Sequence, residues 1–489
     1  MPISMNDIPN NIRVPFVAVE FDSTKAIRGA QFQPYKALLI GQKLSAGVKP
    51  DLIPARVNGK SDAERYFGAG SMLAEMADYY RRSDGITELW AISVPDTSVG
   101  ASAAGTVTFT GAVVEAGVLN AYVGGRRFTV PVNVGDTPAN IATTFAAAVN
   151  GIDDLPTTAA SDEGVVTLTA RHPGLAGNGI DVRFNYNGGE EFPAGLLAAV
   201  SPMAGGTANP NIAAALQAVS GEWFNAFVMP YSDANNLYLL NQELVRRWGP
   251  LVMQEGWLFG AVRGTHGELG VFGAGRNSKH ECFMHAHGVP NNVWAIAASA
   301  AANAMYYGNI DPARPFQTLP LTGILPPAIQ DRFTDFPENN QLLYDGISTF
   351  MSGDDGIVRI GRLVTTYKTN ERGADDASYL DLNTGLTLGY LRWDLRNHLL
   401  RKFPRHKLGN DGVRHSDGAA IVTPKIAKAE CIVKARDWEE RGLVENVEQF
   451  KDELIVERNA SDPNRLDFLV PPDLMNQFIV GAVKIQFYL

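Results

Sequence analysis

Strand-like and helix-like stretches alternate along most of this 489-residue chain, stop alternating near residue 100, and resume near residue 206. That interruption restricts the chain to an α/β framework carrying something of a different kind inside it. Before the break, residues 35–41 (YKALLIG) form a short apolar run of the sort buried in a parallel sheet. Ser61 and Asp62 are placed to cap a helix over 63–80, along which Phe67, Met72 and Met76 recur near helical spacing, and 88–94 (ELWAISV) reads as the next strand. Strand, helix, strand is the unit of a parallel layer covered by helices. After the break the pattern predicts helices over 211–219, 235–248 and 292–307 and strands over 224–229 and 257–262. A proline-rich stretch, 314–327, precedes a strand pair at 347–352 and 357–366.

Residues 101–205 read as an inserted β-rich domain. No lysine occurs between Lys60 and Lys279, and short strand candidates (106–110, 119–123, 127–132, 165–170, 180–185) alternate with glycine turns. One helix is expected over 137–149, opened by Thr137 as N-cap and Pro138 at the first helical position. An insertion of this kind is expected to face outward and to be removable without loss of assembly.

The fold class is therefore multidomain α/β and α+β. Residues 1–30 form an N-terminal arm, 31–100 and 206–340 the two parts of the α/β domain, 101–205 the insertion, and 341–489 a C-terminal α+β domain. In the arm, 14–21 (VPFVAVEF) is a β-type run carrying Val14, Phe16, Val17, Val19 and Phe21, with Pro15 confining it to an edge or a strand start. The C-terminal domain is expected to hold helices over 378–403 and 424–442 and strands over 454–458, 465–470 and 478–488. The last has the sharpest pattern in the sequence: Ile479, Gly481, Val483, Ile485, Phe487 and Leu489 share one face, with Lys484 and Gln486 on the other. Chain ends fray unless tied down, so an apolar strand there needs a partner sheet. The runs at the two ends are the expected inter-subunit strand contacts.

The chemistry-bearing patterns are weak. The net charge of −10 gives no basic footprint for nucleic acid. Two cysteines, Cys282 and Cys431, make neither a disulfide framework nor a four-ligand zinc pattern. No secretory signal and no apolar run of membrane-spanning length is recognisable, so the chain is expected in the cytoplasm until assembly. In His280-Glu281-Cys282-Phe283-Met284-His285-Ala286-His287 the histidine spacing departs from HExxH by one residue, and on a helix His280 and His285 would point about 140° apart. As a strand, His285 and His287 would share a face without a third ligand. Nucleophile-elbow and phosphate-loop motifs are absent. Carboxylate pairs such as Glu190-Glu191, Asp354-Asp355 and Asp375-Asp376 sit among glycines and polar residues as solvated turns, and Trp248, Trp257 and Trp294 lie in apolar elements as core. No catalytic, metal or cofactor-binding residue is assigned.

The C-terminal half carries a resemblance. Asn339 to Thr349 (NNQLLYDGIST) is followed by Gly356 to Tyr367 (GIVRIGRLVTTY), with Arg362, Thr365, Thr366 and Tyr367, and then by Asp375-Asp376-Ala-Ser378-Tyr379-Leu380-Asp381. Together these resemble the contractile phage tail sheath family. Asp462-Pro463-Asn464-Arg465, continuing to Pro471-Pro472 and Asn476-Gln477, resembles its Mu-like subfamily, and Phe67 to Ser71, Pro230-Tyr231 and Arg247 to Pro250 are similar upstream. The resemblance implies a structural subunit of the virion tail and not an enzyme, without cofactors, assembled in the host cytoplasm. It implies a helical homo-oligomer around an inner tail tube protein, meeting baseplate and tail terminator proteins, with no direct nucleic-acid contact and no membrane insertion. Neighbours would exchange terminal strands, and contraction would drive the tube through the host envelope for genome delivery. Two other readings stand beside it. One is a tube or baseplate component, against which the long α/β alternation speaks. The other is a soluble α/β enzyme, which needs a pocket with convergent polar groups, for which 280–287 is the place to look.

Overall fold

A computed structural model describes residues 33–413, 416 and 419–488. The N-terminal arm, including Val14, Phe16, Val17, Val19 and Phe21, and also Leu489, lies outside the described residues.

The framework is a six-stranded sheet in the order Glu281–His285, Trp257–Val262, Ala226–Val228, Lys36–Gly41, Glu88–Ser93, Ala55–Arg56. The first five strands are parallel and the short sixth is antiparallel. Numbered along the chain, the parallel strands run 2-1-3-4-5, a doubly wound order whose direction of winding reverses between Lys36–Gly41 and Ala226–Val228. These strands are buried at nearly every position because helices cover both faces, and strands Lys36–Gly41 and Trp257–Val262 are mostly apolar. Helix Val293–Ile310, rich in alanine, is buried along almost its whole length.

The single helix expected over 63–80 is two helices, Lys60–Phe67 and Met72–Ser83. Gly68 and Gly70 take φ of +88° and +77°, which ends the first helix, and the Ser71 hydroxyl caps the second by accepting from Ala74 N. A Cβ at Gly70 would stand 2.5 Å from the carbonyl oxygen of Asp153, so the break is also where the inserted segment approaches.

Residues 101–205 build two antiparallel sheets, one α-helix and a short 3-10 turn at Leu175–Gly179. One sheet orders Leu196–Ala204, Ser102–Gly111, Val165–Pro173, Thr157–Asp162; the other orders Arg126–Val132, Gly117–Val123, Val182–Phe184. Helix Pro138–Asn150 begins as its sequence predicts, with Thr137 Oγ1 accepting from Asn140 N. Its Phe145 packs against Phe109, Phe128 and Phe184 with ring centroids 5.5–5.7 Å apart. The strand expected over 180–185 shrinks to Val182–Phe184, since Asn185 turns to φ +52°. The entering and leaving chains meet in a bridge between Ala101 and Thr207, so the segment leaves the framework and returns at one point.

The C-terminal region packs helices Leu382–Lys402, Pro424–Glu440 and Val447–Glu453 around a second core, which includes Tyr390, Cys431, Trp438 and Phe450. Behind it stands a two-stranded hairpin, Ile455–Arg458 with Leu466–Leu469. Past the short strand Asp473–Leu474 the described residues hold no helix or strand, and the strand expected over 478–488 is not formed among them.

Candidate functional site

Three places on the molecule bear on function: the switch point of the sheet, the strap along its far edge, and the exposed segment that follows the hairpin.

In open α/β sheets, ligands bind outside the carboxyl ends of the strands where the winding reverses. Gln42, the residue after strand Lys36–Gly41, occupies that place here. Its carboxamide donates to Asp96 Oδ1 at 2.7 Å and to the carbonyl of Pro173 at 2.8 Å. Beside it Met72 N donates to His172 Nε2 at 3.2 Å. An N–H can only donate, so His172 Nε2 is unprotonated, in keeping with burial that pushes this histidine down to about 4. The strand Val165–Pro173 of the insertion thus fills the crevice, leaving a void of about 10 Å³, hardly the size of one water. The place where a nucleotide would sit is a joint between two parts of the protein. Gly124 and Gly125 make a second joint at positive φ, where a Cβ would collide with the side chains of Asn292 and Asn291. Glu75 underlies it, accepting from Trp294 Nε1 and Asn292 Nδ2, and burial lifts its carboxyl to about 7.

The resembling motif forms the strap. Residues 346–348 and 364–366 run along the outer edge of strand Glu281–His285: Ser348 N donates to Phe283 O at 2.7 Å and Thr366 N to Glu281 O at 2.9 Å. Thr366 Oγ1 accepts from Ser278 N at 3.0 Å and donates to Ser278 O at 3.2 Å. Thr365 Oγ1 donates to Tyr379 O at 2.6 Å. Arg362 grips Asp381 with two parallel bonds of 2.8 and 2.9 Å, fixing the start of helix Leu382–Lys402. That use of residues 378–381 is why the helix begins four residues later than its pattern suggests. The Tyr367 hydroxyl donates to Asp376 at 2.7 Å and holds its carboxyl below the usual carboxylate range. Tyr379 turns its edge to Trp248, and Lys279 lies 4.6 Å from both rings. The strap thus covers a sheet edge that would otherwise be open. Sequence reading located these residues by resemblance but missed their partners Ser278 and Lys279, which carry no pattern of their own.

Arg465 lies apart from the strap, paired with Asp467 at 2.5 Å in the hairpin turn, and Asn476 is exposed. His280 precedes the edge strand and His285 ends it, both buried and pushed down to about 3 chiefly by burial. Among the described residues no group of three His, Cys, Asp or Glu is arranged to hold a metal ion.

The unpaired segment carries Phe478, Val480, Val483, Ile485 and Phe487, each more than three-quarters exposed; Ile479 is half-buried. The hairpin just before it exposes Ile455 and Leu469. Two strands alone are marginal in water, and among the described residues this pair has two free edges.

The fold is thus an α/β framework whose ligand crevice is filled, whose central sheet is strapped at one edge and whose β-type chain at 478–488 stands exposed. The description "phage tail sheath protein central domain" matches residues 205–366, and "phage tail sheath C-terminal domain" matches 374–487. The chain is 39% identical to the Mu-like prophage FluMu tail sheath protein of Haemophilus influenzae over 489 residues, all of both chains. It belongs to the phage tail sheath family, in its Mu-like branch: a structural virion protein of a contractile tail, not an enzyme. Among solved structures it is similar to the sheath tail protein of Desulfitobacterium hafniense (TM-score 0.47, 12% identity, 94% of this chain and 100% of that one). It is likewise similar to the sheath tail protein of Listeria innocua (0.48, 13%, 92% and 94%) and the anti-feeding prophage helical sheath in its contracted state (0.46, 9%, 98% and 99%).

Proposed function

We propose that this subunit polymerises into a helical sheath around an inner tail tube by exchanging strands between neighbours. The carrying observation is the alternating segment at 478–488, exposed and without strand partners in the described single chain, close in sequence to a hairpin with two free edges. The segment is the donated strand and the hairpin Ile455–Arg458 with Leu466–Leu469 the receiver. The run at 14–21 is the second donor. Backbone hydrogen bonds would supply affinity, and the face of Ile479, Val483, Ile485 and Phe487 would set register. Such an interface is heterologous and makes a helix when it does not close on itself.

Contraction is a rigid-body repacking between two arrangements of unequal free energy, with the exchanged strands as tethers. It drives the tube through the host envelope. Baseplate and terminator proteins close the two ends, and assembly takes place in the host cytoplasm before the tail joins the virion.

The test is truncation after Gln477, followed by electron microscopy of the purified chain. The truncated subunit should remain folded and fail to form tubes. Normal tubes from it would overturn the donor assignment.

A further inference from the structure

The two sheets of the insertion have four edge strands among the described residues: Leu196–Ala204 and Thr157–Asp162 in one, Arg126–Val132 and Val182–Phe184 in the other. An unguarded edge is a template for any β-type chain that reaches it. Arg126–Val132 carries Pro131, which has no N–H to offer, and Leu196–Ala204 carries Pro202 where its register shifts between Ser201 and Ala204. Val182–Phe184 is three residues long. Thr157–Asp162 has none of these devices: its six residues pair with Val165–Pro173 in unbroken register, and no proline interrupts them.

A side chain closes the centre of this edge instead. Asn150, the last residue of helix Pro138–Asn150, donates from Nδ2 to Ala159 O at 2.8 Å, and its Oδ1 accepts from Ala159 N at 2.9 Å. Alternate residues of an antiparallel edge turn both backbone groups outward, and Ala159 is one of them, with Thr157 and Ser161 two residues to either side. A carboxamide offers donor and acceptor on one plane, as the backbone of an arriving strand would. Both bonds lie at the surface, where water would serve equally, so the need to satisfy buried groups does not explain them. We propose that Asn150 is a specificity determinant of strand exchange: it occupies the edge of the insertion that neither proline nor a register shift interrupts, so that a neighbour's chain at 478–488 pairs elsewhere. The inference rests on the strand-exchange reading above, in which a subunit that presents exposed β-type chain must deny it wrong acceptors.

The probe is a synthetic peptide of residues 476–489, added to the full-length subunit, with amide hydrogen exchange followed by mass spectrometry over 157–162 and 455–469. In the native subunit the peptide should leave exchange at 157–162 unchanged. In Asn150→Ala, where water replaces the two surface bonds, the peptide should slow that exchange by about ten-fold or more. Asn150→Ala combined with Ala159→Pro, which takes the outward N–H away again, should return to no effect. Asn150→Ser, too short to reach both groups of Ala159, gives the same reading should the alanine variant misfold. A residue that only holds the helix to the sheet predicts no peptide effect at 157–162 in any of these proteins. That result, or slowing in the native subunit or in the double variant, would overturn the proposal. Exchange at 455–469 scores the receiving hairpin separately: no slowing there counts against the hairpin as receiver, while 157–162 still decides the role of Asn150.

Discussion

Gln42 Nε2 donates to the carbonyl of Pro173 at 2.8 Å across 131 residues of sequence, binding the switch point of the central sheet to the last residue of an inserted strand. The bond shows that the segment 101–205 is not a bead hung on the outside of the framework. Its apolar side chains, Phe109, Phe145 and Val166 among them, belong to the same hydrophobic cluster as Leu38, Met72 and Trp294 of the framework.

Excising residues 101–204 and closing the gap with a short Gly-Ser link is therefore expected to fail, contrary to what the sequence pattern alone suggests. The geometry permits closure, because Ala101 and Thr207 are bridged. The energetics do not: Gln42, Met72 N and Asn292 would lose partners or cover together, and apolar surface would meet water. Thermal unfolding should show a chain that is unfolded or lowered by well over 10 °C. A deletion with the melting temperature of the full chain would refute this.

Thr366→Val keeps the shape of a fully buried side chain and strands Ser278 N and O, the groups that Thr366 Oγ1 bonds. The expected loss is about 1–3 kcal/mol in urea unfolding. The corresponding change at half-buried Thr97, whose Oγ1 accepts only from the N–H of exposed Val99, should leave stability within about 0.5 kcal/mol.

Gly385 sits inside helix Leu382–Lys402 with Trp257 so close that a Cβ would stand 2.9 Å from its indole nitrogen. Alanine normally favours a helix interior over glycine by about 1 kcal/mol. Here the clash with a buried indole outweighs that gain, and Gly385→Ala should destabilise by roughly 1–3 kcal/mol. A stabilised variant would show that the two elements are not packed this closely.

Acid should weaken the subunit before the carboxylates titrate. Above about pH 6.5, His172, His280 and His285 are neutral whether folded or not. Below it the unfolded chain takes up protons that the folded chain refuses until about pH 4 for His172 and about 3 for the other two. Stability thus falls with falling pH, by roughly 2–3 kcal/mol per histidine at pH 4.5. Glu75 acts in the opposite sense: its carboxyl, raised to about 7, gains a proton in the folded chain first and offsets about one histidine. Urea midpoints at pH 4.5 and 7.5 check the net sign, and His172→Gln should reduce the slope. A pH-independent midpoint would contradict the neutral buried state of these rings.

Val483→Pro removes a backbone donor from a residue whose side chain is 85% exposed. If the segment pairs as a strand with a neighbour, the variant should fold with an unchanged melting temperature and form few or no tubes. Val483→Thr should assemble normally, and tubes of normal length from the proline variant would exclude pairing at that position.

The alternation of strands and helices, the helix start at Thr137-Pro138 and the strand Trp257–Val262 were legible because local chemistry decides them: a cap, a fixed φ, an unbroken apolar run. Thr157–Asp162 and Leu196–Ala204 escaped notice because both lie on the edges of their sheet, where one flank is solvent and the apolar pattern is thin. Gly68 and Gly70 could have warned of the broken helix, yet glycine inside a helical pattern is tolerated too often to settle it. The family motif was visible as a string of residues, but its role as a strap along Glu281–His285 was not, since Thr366 meets Ser278 across 88 positions.

The sequence by itself determined most of the framework's strands and helices, a parallel layer with a β-rich interruption, and the alternating apolar period at 478–488. Those are consequences of side-chain period and backbone preference, which act over a few residues. Tertiary structure alone decided that the insertion fills the switch point, and that the strap closes one sheet edge while, among the described residues, the hairpin at 455–469 keeps its edges free. Each depends on groups far apart in the chain arriving within hydrogen-bonding distance, and no local pattern encodes that.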